Sequence, residues 1–179
     1  MIPSEKEAIE LLKKYAPDEK SFRIVFSHCR MVKDIALRVA DKVPQADKEL
    51  IKIGALLHDM GRFIYPPPGM ENAVKHGLAG ADLLRNERVD EAICNITERH
   101  VGIGISKQDI IGQKLPLPHV DLVPVTVEEK IVAYADNLVF GHKEGTEKMV
   151  EERFAKEIGP EYGIRTRKFH DMMHKLMGL

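Results

Sequence analysis

Apolar residues recur along most of this chain at helical spacing, in runs closed by proline or glycine. Ser4-Glu-Lys-Glu7 reads as a capping box, opening a helix through Ile9, Leu11, Leu12 and Tyr15 that stops before Pro17. A longer helix is predicted from Phe22 to Val43, with Val25, Val32, Ile35, Ala36 and Val39 on one face and Pro44 at its end. Asp47 caps a third, which carries Leu50, Ile51, Ile53, Ala55, Leu56 and Leu57 as far as His58, with Gly54 permitting close packing. Tyr65-Pro-Pro-Pro-Gly69 cannot be helical and reads as a stiff loop shaping a rim.

Two further helices are predicted, from Val74 to Arg85 and from Val89 to Val101. Gly102 to Val125 is rich in glycine and proline and reads as a loop of about two dozen residues, long enough to suggest a lid. Thr126-Val-Glu-Glu129 reads as a second capping box, before a helix through Ile131, Ala135 and Leu138. Helices from Glu147 to Ile158 and from Arg165 to Met177 complete the set. The one β candidate is Val120 to Val127. The pattern predicts an all-α bundle of roughly seven or eight helices, in a single domain spanning residues 1–179.

Composition agrees with a globular chain: 44% hydrophobic and 31% charged over 179 residues. A formal net charge of -1 gives no global field to recruit nucleic acid, and no basic-aromatic stripe is present. No apolar run approaches the roughly 20 residues of a membrane span. Cys29 and Cys94, without CxxC spacing, read as reduced packing residues, so a cytoplasmic protein is expected.

Chemistry concentrates in Ile53-Gly-Ala-Leu-Leu-His-Asp-Met-Gly-Arg62, where an apolar run ends on two adjacent metal-grade ligands. His28, His76, His100 and Asp136 have comparable settings. His28 shares a face with Met31, Val32 and Ile35, and Asp136 sits in the apolar helix Ile131-Val-Ala-Tyr-Ala-Asp. A single histidine on an apolar face is more often a satisfied core residue than a ligand. A lone carboxylate there needs a partner or a cation. His119, His142, His170 and His174 have no such setting, and the last two read as a solvated face of the C-terminal helix. Met172, Met173, Leu176 and Met177 read as core or as a possible homodimer surface.

The order His28, His58-Asp59, Asp136 resembles the H…HD…D signature of the HD-domain superfamily of metal-dependent phosphohydrolases. Leu56-Leu-His-Asp-Met-Gly-Arg62 resembles its HD-x-G-K/R core, and Ala135-Asp-Asn-Leu138 resembles its closing A-D-x-L. His76 and His100 resemble the extra histidines of dinuclear members. The likeness covers roughly residues 22 to 140 and is similar to stand-alone HDIG-type proteins common in archaea, with Met60 where that label has isoleucine. No HH-E or Gly-Tyr-Pro follows His100, so the HD-GYP subfamily is not supported.

The resemblance implies an HD-type helical bundle. In it His28, His58, Asp59 and Asp136 hold a first divalent ion (iron, manganese, zinc, cobalt or nickel), and Asp59 bridges to a second on His76 and His100. It implies hydrolysis of a nucleotide or related phosphate ester, with Asp59 assisting the water. Arg62 is the first candidate for binding phosphate, because its planar fork matches phosphoryl oxygens; Lys75 and Arg99 flank the extra histidines and follow it. Two alternatives keep the same ligands: a di-iron oxygenase, and a non-catalytic metal-stabilised domain that binds a nucleotide.

Overall fold

Phe22, Val25, Cys29, Val32, Ile35, Ala36 and Val39 all face inward along the 22 residues of α2 (Glu19–Ala40), and both large apolar clusters of the molecule draw on that stripe. The structure is a computed structural model describing residues 1–179. It is all-α: α1 (Glu5–Tyr15), α2, α3 (Lys48–Leu57), α4 (Met70–Asn86), α5 (Glu91–Arg99), α6 (Lys107–Gly112), α7 (Val127–Asn137), α8 (Glu147–Glu157) and α9 (Pro160–Met177). The only sheet is a two-residue hairpin, β1 (Val139–Phe140) antiparallel to β2 (Lys143–Glu144). No helix is long and apolar enough to cross a membrane.

The helix α2 packs on α3 and α7, α4 packs on α5, and α8 packs on α9. Two large apolar clusters share α2, α3 and α5. One extends to α7, α8 and α9, with Ile131, Val150 and Met173 at its heart. The other extends to α1 and α4, with Leu12, Leu56 and Leu84. Met172, Leu176 and Met177 pack against the first cluster, so the apolar C-terminal residues serve the core.

Several helix starts follow from local chemistry. Ser4 and Glu7 form the predicted capping box, and Asp47 accepts from Glu49 and Leu50. Thr126 caps α7 by accepting from the Glu129 backbone at 3.2 Å. The Glu129 carboxylate does not close a box there; it accepts from Val125 N at 2.6 Å and pairs with Arg99.

Gly102 to Val125 departs most from expectation. A Ser106–Asp109 capping box starts α6 inside it, and Ile105 and Leu122 form an isolated antiparallel bridge. Ile105, Ile110, Leu117 and Leu122 bury against Val74 as a third cluster. Arg165 of α9 clamps Asp109 through two bonds, at 2.7 and 2.9 Å. The segment is a packed wall rather than a free lid, because its apolar residues have an inner surface to cover.

The C-terminal histidines also differ from expectation. His170 is buried and pairs with Glu151 of α8 at 3.0 Å, and His174 meets Glu147 at 2.7 Å. His170 is thus closed off against α8, while His174 pairs with α8 and stays partly exposed.

Candidate metal centre

After Leu57 the chain leaves α3 through His58 and Asp59 into a 3-10 turn, Met60–Phe63. This turn lies against α4. A Cβ on Gly61 would sit 1.9 Å from the His76 carbonyl and 2.7 Å from Gly80 N, so only glycine admits the approach. The approach places Asp59 Oδ1 3.1 Å from His76 Nε2. On the other side, α2 and α7 bring His28 Nε2 within 2.9 Å of Asp136 Oδ1 and 3.5 Å of Asp59 Oδ2. His58 Nε2 is 3.5 Å from Asp136 Oδ1 and 4.0 Å from Asp59 Oδ1. His100, at the end of α5, puts Nε2 3.5 Å from Asp59 Oδ1 and 2.9 Å from His76 Nε2.

All six residues named from sequence therefore converge. Two overlapping triads, His28–His58–Asp136 and His58–Asp59–His100, each hold ligand atoms within 4.8 Å of one another.

The hydrogen bonds behind the rings test whether a cation fits. His58 Nδ1 lies 2.7 Å from Ala55 O, His100 Nδ1 2.7 Å from Thr97 O, and His76 Nδ1 3.3 Å from Asn72 O. A carbonyl only accepts, so each Nδ1 carries a proton and each Nε2 is the ring atom turned inward, a lone-pair donor once its own proton is displaced. His58 Nε2 is buried without any hydrogen-bond partner. The His76 and His100 Nε2 atoms face each other at 2.9 Å, close enough for one cation to take both.

The charges agree. Burial pushes Asp59 up, but His58, His100 and His76 outweigh it and hold the carboxyl well below the usual range. Burial likewise pushes Asp136 up, and His28 and His58 hold it well below. Burial lowers His100 to about 4, keeping it a neutral ligand at neutral pH. Imidazole and carboxylate together suit a divalent transition metal. The donors present fit such an ion.

Above the site opens a cavity of about 460 Å³, lined by Asp59, Arg62, Asp136 and Arg153 among others, with Pro67 of the stiff loop on its wall. Arg62 Nε is 3.4 Å from Asp59 Oδ1. Lys75 and Arg99 do not line this cavity. Lys75 pairs with Glu71, and Arg99 donates to the buried Glu129 at 3.1 and 3.2 Å. Each is one position from a ligand, and one helical residue turns the side chain about 100° away. Arg153 was not singled out from sequence; it lies in the helix predicted from Glu147 to Ile158, to which no chemistry was assigned.

Comparison with known proteins agrees with this picture. A family model described as HD domain matches residues 25–141, so the chain belongs to the HD-domain family. It is 36% identical over 177 residues to a tRNA (cytidine(56)-2'-O)-methyltransferase of Picrophilus torridus, covering 99% of this chain and 48% of that protein. An equally named protein of Thermoplasma volcanium is 35% identical, with 99% and 49% covered. The chain thus spans about half the length of these curated relatives. An uncharacterised protein of Methanocaldococcus jannaschii is 38% identical over 158 residues, with 86% of each chain covered. Among solved structures, the HD domain of the Listeria monocytogenes phosphodiesterase PgpH has the same fold, with a TM-score of 0.59 at 20% identity, covering 94% of this chain and 87% of that one. The same domain in complex with cyclic-di-AMP gives a TM-score of 0.57, also at 20% identity, over 96% and 94% of the chains.

Proposed function

We propose that this HD-domain protein is a metal-dependent phosphohydrolase acting on a nucleotide or related phosphate ester. The observation that carries the reading is the set of inward-facing Nε2 atoms on His58, His76 and His100, converging on two anionic carboxylates beneath an open cavity. Divalent ions held by these six residues would supply Lewis acidity and lower the pKa of water. The chain's own groups do the rest. Asp59, between the two histidine groups, would hold an ion on either side and would orient the attacking water. Arg62 offers its remaining donors to phosphoryl oxygens, in a geometry that suits charge developing in the transition state.

Nucleotide chemistry is favoured by the company the chain keeps: one structural neighbour holds cyclic-di-AMP, and two relatives are named for action on tRNA. Those two are about twice the length matched here, and the HD match lies within this chain. We assign methyl transfer to the part of them that this chain does not match.

The test is metal analysis of reduced, purified protein, followed by a panel of phosphomonoesters and phosphodiesters with manganese, cobalt, nickel, zinc and iron. Turnover under anaerobic conditions supports the hydrolase. Activity that needs iron and O₂ together indicates the oxygenase. Tight nucleotide binding without turnover of any ester indicates a binding domain.

A further inference from the structure

Arg153 stands on α8, past the end of the HD-domain match at residue 141, yet it lines the same cavity as Asp59 and Asp136. Its guanidinium lies against two aromatic rings, 4.6 Å from the Phe140 centroid and 4.8 Å from the Phe154 centroid. One donor reaches the Asn137 carbonyl at 3.3 Å, next to the ligand Asp136. Its Nε is enclosed without any acceptor.

Arg62, Arg85, Arg99, Arg153 and Arg165 are the partly buried arginines of the chain. Four of them pair with carboxylates: Arg62 with Asp59, Arg85 with Glu91 and Glu98, Arg99 with Glu129, and Arg165 with Asp109. Arg153 has no carboxylate within 4.0 Å. A guanidinium stays charged and carries five donors. Holding one half-buried without a counter-charge is unfavourable unless an anion arrives. Contact with two rings fixes its plane, so the fork loses little freedom on meeting an oxyanion.

We propose that Arg153 is a substrate-anchoring residue that binds phosphoryl oxygens in this cavity, and that the substrate is a phosphate monoester. Arg62 stands beside Asp59 and is partly neutralised by it. Arg153 donates to the carbonyl of Asn137, lines the same cavity as Asp136, and is not neutralised by any side chain. An uncompensated guanidinium added to Arg62 suits a phosphoryl group carrying close to two negative charges, as a monoester does near neutral pH, better than a diester with one. The inference rests on the phosphohydrolase reading for its substrate, but the anchoring role can be read without turnover.

The experiment titrates inorganic phosphate and dimethyl phosphate, by calorimetry, into metal-loaded and metal-free protein. The wild type, Arg153→Gln and Arg153→Lys are compared, with metal content and melting temperature recorded for each. Wild-type protein is expected to bind phosphate more tightly than dimethyl phosphate. Arg153→Gln weakens phosphate binding about tenfold or more, with metal content unchanged. Arg153→Lys, which keeps the charge and most of the stem, retains the wild-type melting temperature but recovers only part of the affinity. This variant decides the question if the glutamine variant fails to fold.

Phosphate affinity equal to wild type in both variants overturns the anchoring role and leaves Arg153 as a packing cation. Equal affinity of the wild type for the two probes overturns the monoester assignment. If no ester is hydrolysed but phosphate binding depends on Arg153, the hydrolase reading fails and the anchor stands. If ester turnover persists in Arg153→Gln with unchanged KM, the anchor fails and the hydrolase stands.

Discussion

Asp59 Oδ1 lies 3.1 Å from His76 Nε2, while Oδ2 of the same carboxylate lies 3.5 Å from His28 Nε2 on the opposite side. One carboxylate thus faces both histidine groups, the geometry a bridging ligand needs. Metal stoichiometry per chain should follow that position. His76→Ala and His100→Ala are expected to lower bound metal towards one ion, keeping His28, His58 and Asp136. Asp59→Ala is expected to lower it further than either. Elemental analysis of the purified variants checks this, and equal loss in all three would show that Asp59 does not bridge.

Gly61 sets the approach that makes the Asp59–His76 contact. A methyl group there meets the His76 backbone carbonyl and the Gly80 amide, which cannot rotate away as a side-chain tip could. Gly61→Ala is therefore expected to cost about 3 kcal/mol, at the upper end of overpacking effects, and to lower metal content as well. Gly54→Ala is milder, because its nearest neighbour is the Cδ1 of Ile96, the end of a side chain. Chemical denaturation of the two variants gives the comparison. A stable Gly61→Ala with full metal content would contradict the packing argument.

The convergence of the six candidate ligands was legible in the sequence because each sits in an apolar helix or at its end, where a polar group needs a reason. Arg62 was legible for the same reason, closing the turn after the HD pair. Lys75 and Arg99 do not line the cavity because neighbours in sequence on a helix point to different sides; their partners, Glu71 and Glu129, are fixed by rotation and tertiary packing. The helix α6 was hidden among glycines and prolines. Its capping pair Ser106–Asp109 has an aspartate where the usual box has glutamate or glutamine. Burial of His170 depended on Glu151, supplied by a different helix, and periodicity within α9 could not show it. Arg153 became visible only when the carboxylate partners of the other partly buried arginines were known.

Arg99 supports the fold rather than the substrate. Glu129 is 3% exposed, and Arg99 is its only cationic partner within 4.0 Å. Arg99→Met leaves that carboxylate buried and uncompensated, so a loss of about 3 kcal/mol is expected. The double variant Arg99→Met with Glu129→Gln should recover part of it, because the stranded charge is gone. Metal content should be unaffected in both. Denaturation curves measure the first expectation and elemental analysis the second. A raised KM in Arg99→Met without loss of stability would return Arg99 to the substrate site.

The Asp109–Arg165 clamp gives the wall from Gly102 to Val125 an acid-sensitive hold on α9. Arg165, followed by the bonds from Ser106, lowers Asp109 from 3.8 to about 2 despite partial burial. A carboxylate with a depressed folded pKa stabilises the native state above its unfolded pKa, because the unfolded chain binds the proton more readily. That stability is complete above about pH 4 and declines as pH falls towards 2. The full shift would be worth about 2 kcal/mol, but Arg165 is about one-third exposed and solvent screens the pair. About 1 kcal/mol is therefore the expected contribution at neutral pH. Arg165→Met should lose that amount at pH 7 and progressively less as pH falls, with the two proteins converging near pH 2. Denaturation midpoints measured between pH 2 and 7 test the trend. A gap between wild type and Arg165→Met that stays constant across the range would show that the clamp acts through packing of the arginine stem, not through charge.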